Sequence, residues 1–266
     1  GGMRPEFLTC LAEIWNEEQM SKLEDFGMRY LNGGLPMWWY TMWITVTTVP
    51  LYKTPARNKV RPIGVLPCLE RQILKLVTRF NKGTHVNYFE PQQVVFSEAG
   101  AAKLVHSMRM MMEENPTFVF VKCDIKNAFN SISRARILHV LEGEDSLRHL
   151  SWQAALSLAP EGALENKGKV WGQAKDGVIQ GASPSGGYFA LGWHPQLRHL
   201  DSVVSAAGGA SKAGCDDLGV CGPPDVVFPA LEDFWRDIQE TCCLHLERSK
   251  TEVYTQSGVL PDGTPE

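Results

Sequence analysis

Residues 118–138 have the sequence FVFVKCDIKNAFNSISRARIL, and they determine the centre of the predicted fold. Residues 118–123 form an apolar, β-favouring run interrupted by one lysine, which predicts a largely buried strand. Residues 133–141 then have helical spacing. Asp124 is therefore predicted at a sharp junction between a strand and a helix.

A second acidic site lies in AGCDDLGV, residues 213–220, where Asp216 and Asp217 are predicted at the tip of a turn between two strands. By itself, an acid after a strand or an Asp-Asp pair in a turn is typical of an ordinary cap or turn. Together, however, the acids match what nucleotidyl transfer requires, because clustered carboxylates can hold two Mg²⁺ ions roughly 4 Å apart. Asp124, Asp216 and Asp217 are thus candidate catalytic and metal-binding residues.

The composition is that of a globular protein, with 44% hydrophobic and 21% charged residues, and it allows one large domain or two modest ones. The net charge of −4 gives no support for a polyanionic partner. The charge is segregated, however, because residues 51–82 contain eight basic residues and one acid, Glu70. This segment predicts a surface that meets phosphates, with a merely solvated basic face as the alternative.

Several classes of protein are disfavoured by the sequence. The seven cysteines are odd in number and form no C-x-x-C pair, which argues against a disulfide scaffold or structural zinc. The start lacks the pattern of a signal peptide, so an intracellular location, nucleus or cytoplasm, is expected. Residues 30–52 carry no charge, but glycines, prolines and threonines interrupt them. We expect a buried helix running into a strand there, and no membrane partner.

Periodicity predicts further elements along the chain. Helices are predicted over residues 7–31, 70–80, 101–112, 133–141 and 231–243; a hairpin over 45–52 and 60–66; a Gly-rich loop entering a helix over 177–200; and a frayed tail over 258–266.

The order of these segments resembles the reverse transcriptase family, most closely its non-LTR retrotransposon and group II intron type. The segments that carry the resemblance are LNGGLPMWWYTMWITVTTVPLYKTPARNKVRPIGV (31–65), QQVVFSEAGAAKLVHSMRM (92–110), residues 118–138 as motif A, GVIQGASPSGGYFALGWHPQL (177–197) as motif B, residues 213–220 as motif C and LHLERSKTEV (244–253) as motif D. The resemblance implies an α+β fold, in which helices back an antiparallel palm sheet. It divides the chain into an N-terminal helix and fingers (1–117), a palm (118–256) and a disordered tail (257–266).

The resemblance also implies nucleotide-binding residues. Lys53 and Arg61 would neutralise the incoming triphosphate, or they are merely exposed cations. Phe129 would clash with a ribose 2′-hydroxyl and so favour deoxynucleotides, or it is a core aromatic. Gln180 and Gly181 would lie under the template and the incoming base.

In the same resemblance Lys250 would act at the pyrophosphate leaving group, unless it is a solvated lysine. The implied activity is that of an RNA-directed DNA polymerase from a retroelement, which extends a primer on an RNA or DNA template with deoxynucleoside triphosphates and two Mg²⁺ ions. The alternative is a decayed reverse-transcriptase-like protein that binds nucleic acid or protein without catalysis.

Three positions depart from the family pattern. Ala182 stands where motif B usually has Asp, Gly214 where motif C usually has an aromatic, and Glu247 where motif D usually has Asn. The chain also stops soon after motif D, where the family continues into a thumb. Weak duplex binding is therefore expected of this chain alone.

Overall fold

The structure is a computed structural model that describes residue 10, residues 13–43, 46–52, 60–158 and 162–261, and residue 264. In chain order the elements of the first part are α1 (Glu17–Leu31), α2 (Met37–Trp43), β1 (Val46–Tyr52), β2 (Val60–Val65), α3 (Cys68–Phe80), α4 (Lys82–Phe89) and α5 (Gly100–Glu114). Those of the second part are β3 (Val119–Lys126), α6 (Ala128–Ser131), α7 (Arg134–Gly143), α8 (Ser151–Leu158), β4 (Gly162–Asn166), β5 (Lys169–Ala174), α9 (Ser185–Ser205), β6 (Ala210–Gly214), β7 (Asp217–Gly222), α10 (Pro224–Cys242), β8 (His245–Leu246) and β9 (Glu252–Thr255).

The first sheet has the strand order β2-β1-β4-β5. β1 and β2 form the predicted antiparallel hairpin, while β4 joins β1 in parallel and β5 pairs with β4 antiparallel. The sheet is tied to the loop before α9, because the N–H of Gly64 donates to the carbonyl of Gln180 at 2.7 Å. The β4–β5 hairpin was not predicted, since its segment mixes polar and apolar residues without clear alternation.

The second sheet is built around β3, which pairs with β7 on one side and with β8 and β9 on the other, always antiparallel. Val119, Val121, Cys123 and Ile125 alternate along β3 and are buried in the main core. Residues of α9 and α10 share this core. The predicted α+β class, an antiparallel sheet backed by helices, is confirmed.

Two local predictions were wrong. The helix expected over residues 7–31 is interrupted at Asn16, whose side chain accepts the Gln19 N–H and, with the returning Gln19 side chain, forms a capping box that starts α1. Asp124 lies inside β3 rather than after it, because the pairing of Ile125 and Lys126 with β8 prolongs the strand.

The uncharged segment from residue 30 to 52 contains α2 followed by β1, as predicted, but the expectation that this helix is buried was wrong for its first turn, where Met37 is 75% and Trp38 is 62% exposed. Tyr40 of α2 is buried against Tyr30 and Ile73. Among the described residues, no helix combines the length and the apolar character that crossing a bilayer requires.

Candidate active-site cleft

The β3–β7 ladder brings the two acidic segments together. Asp124 of β3 is the direct partner of Asp217, the first residue of β7, and paired residues of antiparallel strands project to the same face of a sheet. The β6–β7 turn is formed by Cys215 and Asp216, with Cys215 in the left-handed region at φ 60°. The turn thus places Asp216 beside the end of β3.

Most of the predicted site residues line one cleft of about 630 Å³. They are Asp124, Asp216, Arg61, Phe129, Gln180, Gly181 and Lys250. Asp217 is exposed, and its side chain is not among those that line the cleft. Lys53 falls outside the described residues.

Asp216 experiences the charges of the other two acids. Burial raises the pKa of Asp216 above its usual range, and the negative charges of Asp217 and Asp124 raise it further. A hydrogen bond from its own backbone and the positive charge of Arg61 act in the opposite direction. The cleft is therefore a site where a bound cation would relieve electrostatic repulsion.

Lys250 closes the other side of the cleft. Its ammonium donates to Oδ2 of Asp124, and this contact is the main cause that raises the pKa of Lys250. The short 3₁₀ turn Arg248–Lys250 is fixed to β3, because the N–H of Glu247 donates to the carbonyl of Asp124 at 2.9 Å. The Asp124 carboxylate thus carries a positive partner in this structure.

Phe129 is at once a cleft residue and a core residue. Its ring lies in the cleft wall and stacks on the buried ring of Phe189, with the ring centroids 5.0 Å apart and the planes at 11°. Its backbone carbonyl accepts the N–H of Val178 at 2.6 Å. Phe129 is thus an aromatic packed against the core that also lines the cleft, and its role against a ribose 2′-hydroxyl stays a prediction.

Comparison with known proteins supplies the fold relationship. No protein-family model and no curated protein matches the chain. Solved structures do: apo telomerase from Candida tropicalis has a TM-score of 0.63 at 11% identity over 91% of this chain and 50% of that one. A form of it truncated from the C-terminal domain has a TM-score of 0.59 at 14% identity, over 84% of this chain and 52% of that one. The fold is reverse-transcriptase-like.

Telomerase from Candida albicans, solved with a fragment of telomeric RNA, also matches, with a TM-score of 0.59 at 14% identity. It is covered over 44% of its length and covers 85% of this chain. The chain thus spans about half the length of the telomerase structures that it resembles.

Within this reverse-transcriptase-like fold, the three departures from the family pattern lie at the cleft or next to it. Ala182 packs on an apolar cluster of Val46, Leu66 and Leu74, where an Asp side chain would lose its hydration. A methyl group at Gly214 would meet Val94 at an ordinary 3.7 Å, so the hairpin itself does not exclude a side chain there. Glu247 lines the cleft and adds a further acid.

The donor chemistry of the cleft fits Mg²⁺. Among the described residues, no three His, Cys, Asp or Glu side chains converge closely enough to hold a metal ion by themselves. Mg²⁺ does not need such a cage, because it commonly binds one or two carboxylates and completes its shell with water and substrate phosphates. Asp124 and Asp216 are two oxygen donors that line the same cleft.

The structure adds residues that sequence reasoning did not assign to the site. Asn127, in the left-handed region at φ 48°, and Asn130 both line the cleft, as does Pro62 of β2. The asparagines belong to the motif A segment, but the sequence does not show which side chains around α6 point toward the cleft. Pro62 lines the cleft because β2 packs against the loop at Gln180, and this contact between distant segments cannot be predicted from the sequence.

Proposed function

We propose that this chain is the fingers and palm of an RNA-directed DNA polymerase, which adds deoxynucleotides to a primer 3′-hydroxyl. The observation that carries the proposal is the meeting of Asp124 and Asp216 in a single cleft whose other walls supply Arg61, Phe129 and Lys250. Placing two carboxylates together in a partly buried cleft costs free energy, and such an arrangement is more typical of a functional site than of a purely structural one.

The side chains of the cleft divide the work by chemistry. Arg61 is exposed on β2 and can bind triphosphate oxygens bidentately, with Lys53 as a proposed second cation. Phe129, held by its stack on Phe189, would exclude a ribose 2′-hydroxyl. Gln180 and Gly181 would support the base pair from the β2 side of the cleft.

Asp124 and Asp216 would hold two Mg²⁺ ions together with Asp217, and the ions would activate the primer hydroxyl and the triphosphate when bound. Lys250 would then leave Asp124 and donate to the departing phosphate oxygens. An ammonium needs no help from Asp124 to stay protonated at neutral pH, because the ordinary pKa of lysine is about 10.4.

The proposed substrates are a primed RNA or DNA template and deoxynucleoside triphosphates, and the proposed location is intracellular. A neighbour solved with telomeric RNA supports a nucleic-acid partner. The sequence resemblance supports an origin in a non-LTR or group II intron type of retroelement, and a division into fingers (1–117), palm (118–256) and tail.

Primer extension with Mg²⁺ tests the proposal, comparing the wild type with Asp216→Asn. We expect the substitution to lower the rate at least about 100-fold, because it removes an anionic ligand worth several kcal/mol in the transition state. Asp233→Asn, an exposed acid of α10 outside the cleft, is the matched control and should extend at the wild-type rate.

A second candidate function is a non-catalytic nucleic-acid or protein binding module. The ion pair of Lys250 with Asp124 favours it, because the ammonium neutralises that carboxylate where a metal ion would otherwise be needed. Background extension by both the wild type and Asp216→Asn, with primer–template binding retained, would establish this second function instead.

A further inference from the structure

A second cleft of about 370 Å³ adjoins the first. The two clefts share Pro62, Asn130 and Gln180 as a common wall. The second lies between the first sheet and the loop before α9, and Trp171 of β5 is one of its lining residues. A polymer that passed over the common wall would occupy both clefts.

Trp171 is aimed into the second cleft by a β-bulge. Leu164 pairs with Gly172 and Glu165 pairs with Val170, so Trp171 has no partner on β4. A bulge of this kind re-aims a side chain and is frequent beside active sites. It leaves 56% of the Trp171 residue exposed although the ring is large and apolar.

Two hydrogen bonds fix the exposed ring. Its Nε1 donates to Oγ1 of Thr48 at 2.8 Å, and that hydroxyl donates in turn to the carbonyl of Glu165 at 2.9 Å. Because the polar edge of the indole is satisfied inside the protein, its exposed surface is apolar. Such a preorganised aromatic face suits stacking, since little rotamer entropy is lost on binding.

The cleft beside Trp171 is lined by two basic residues, Arg134 and Lys175, and by one acid, Asp176. Residues 167–175, KGKVWGQAK, contain three lysines and no acid, and Lys175 lines the cleft. Aromatic rings combined with nearby cations are the usual means of binding single-stranded nucleic acid without sequence preference.

We propose that the second cleft binds the unpaired template strand, with Trp171 as the platform on which a base stacks. The inference rests on the proposed function. A template base that pairs with a nucleotide in the first cleft must lie near the common wall, so the next unpaired base, on its 5′ side, falls in the second cleft. Trp171 is thereby a positioning residue for the template.

The test is fluorescence anisotropy with two labelled duplexes of the same paired sequence, one blunt and one with four unpaired thymidines at the 5′ end of the template. We expect the wild type to bind the overhang form more tightly at low salt. In Trp171→Ala the affinity for the overhang form should fall about tenfold, which removes this preference, whereas Trp171→Phe should keep most of it. Val170→Ala, a neighbouring exposed side chain on β5, should behave as the wild type.

Three results overturn the inference: an overhang gain that survives in Trp171→Ala, no gain in the wild type, or an equal loss in Val170→Ala. Circular dichroism checks that each variant is folded. Primer extension by the same proteins separates the two proposals. If the protein extends primers but its preference for the overhang does not depend on Trp171, only the template inference fails. If the preference depends on Trp171 but no primer is extended, only the polymerase proposal fails.

Discussion

Lys250 and Asp124 are 126 positions apart in the sequence, and their ion pair places a cation at the edge of the acidic cleft. The ammonium is half-exposed, while the Asp124 side chain is 28% exposed. A pair so close to solvent contributes little to stability. We therefore expect the ion pair to matter for the reaction, since the same ammonium can donate a proton or a hydrogen bond to a departing phosphate.

Replacing Lys250 therefore tests a role in the reaction. We expect Lys250→Ala to lower the rate of nucleotide addition about 100-fold, because a positioned general acid contributes roughly 10²–10⁴. Single-turnover primer extension measures this rate. Lys122→Ala is the control, because Lys122 of β3 is likewise an exposed lysine in an ion pair, in its case with Glu252. A Lys250→Ala protein as fast as the wild type contradicts the role.

Glu70 is a buried acid outside the cleft, and it makes stability depend on pH. Burial raises its pKa to about 7, partly opposed by the hydrogen bond from Tyr30. Its other oxygen, Oε2, has no partner among the described residues. The folded state thus holds the proton more tightly than the unfolded state, in which the pKa is about 4.3. This stabilisation is present below pH 4 and is lost as the pH rises through 7.

We expect Glu70→Gln to remove this dependence, because Gln keeps the acceptor for Tyr30 but carries no charge. Its unfolding free energy relative to the wild type should rise between pH 5 and pH 8 by about 3 kcal/mol. Urea titrations at both pH values measure the difference, with the exposed Glu98→Gln as control. A difference that is constant with pH refutes the assignment.

At this scale the sequence predicts that the two acidic segments meet better than it predicts how their side chains are oriented. Asp124 and Asp216 line the cleft as expected, because a strand and a hairpin tip are local patterns. That Asp217 pairs directly with Asp124, and that Lys250 contacts Asp124, depends on the register of β3 with β7 and β8. Register between distant strands is not encoded in any local pattern.

Among the elements, the loop before α9 meets β2 in a contact that only glycine permits. Gly181 has φ 110°, and a methyl group there would lie 2.6 Å from the carbonyl oxygen of Gly64. The same contact includes the hydrogen bond from the Gly64 N–H to Gln180. The shared wall of the two clefts thus depends on two glycines.

We expect Gly181→Ala to lower the unfolding free energy by roughly 1–3 kcal/mol, because of the strained backbone and the clash with β2. Chemical denaturation measures the effect. Gly83→Ala is the opposite case, since Gly83 lies in α4 with nothing within 4 Å of an added Cβ. That change should stabilise by roughly 0.5–1 kcal/mol. Equal effects of the two substitutions would argue against the contact.

The predictability of the elements follows the strength of their periodicity. The β1–β2 hairpin, β3 and the β6–β7 hairpin were predicted because β-branched runs and turn residues mark them. β4 and β5 were missed because their residues do not alternate regularly between buried and exposed, and β9 was missed because four residues are too few to show a pattern. The β5 bulge at Trp171 breaks the period of two outright.

For the whole molecule, the segregated charge predicts how nucleic acid binds. The net charge is −4, so attraction to phosphates depends on local concentrations of basic residues, such as segment 51–82 and the lysines of residues 167–175. Binding of a primer–template should be weak and should fall steeply as salt rises from 50 to 200 mM, because counterion release drives such contacts. Anisotropy titrations measure it. Tight binding that is insensitive to salt contradicts the prediction.

The likeness to telomerase structures at 11–14% identity shows that the arrangement of sheets and helices tolerates almost complete replacement of side chains. The burial pattern of β3 and the hairpin at Asp216 are compatible with many sequences. Sequence patterning could therefore predict the α+β class, while the shapes of both clefts required the packed structure.

The most direct test of the central claim, that Asp124 and Asp216 hold one metal site, is iron-mediated cleavage of the backbone. With added hydrogen peroxide and ascorbate, Fe²⁺ that replaces Mg²⁺ reduces the peroxide to hydroxide and a hydroxyl radical, and the radical cuts the chain next to the bound ion. In the presence of a deoxynucleoside triphosphate we predict cuts near both Asp124 and Asp216, suppressed by excess Mg²⁺ and abolished at both positions by Asp124→Asn. Cuts at one position alone, or cuts unchanged in Asp124→Asn, would contradict a shared site.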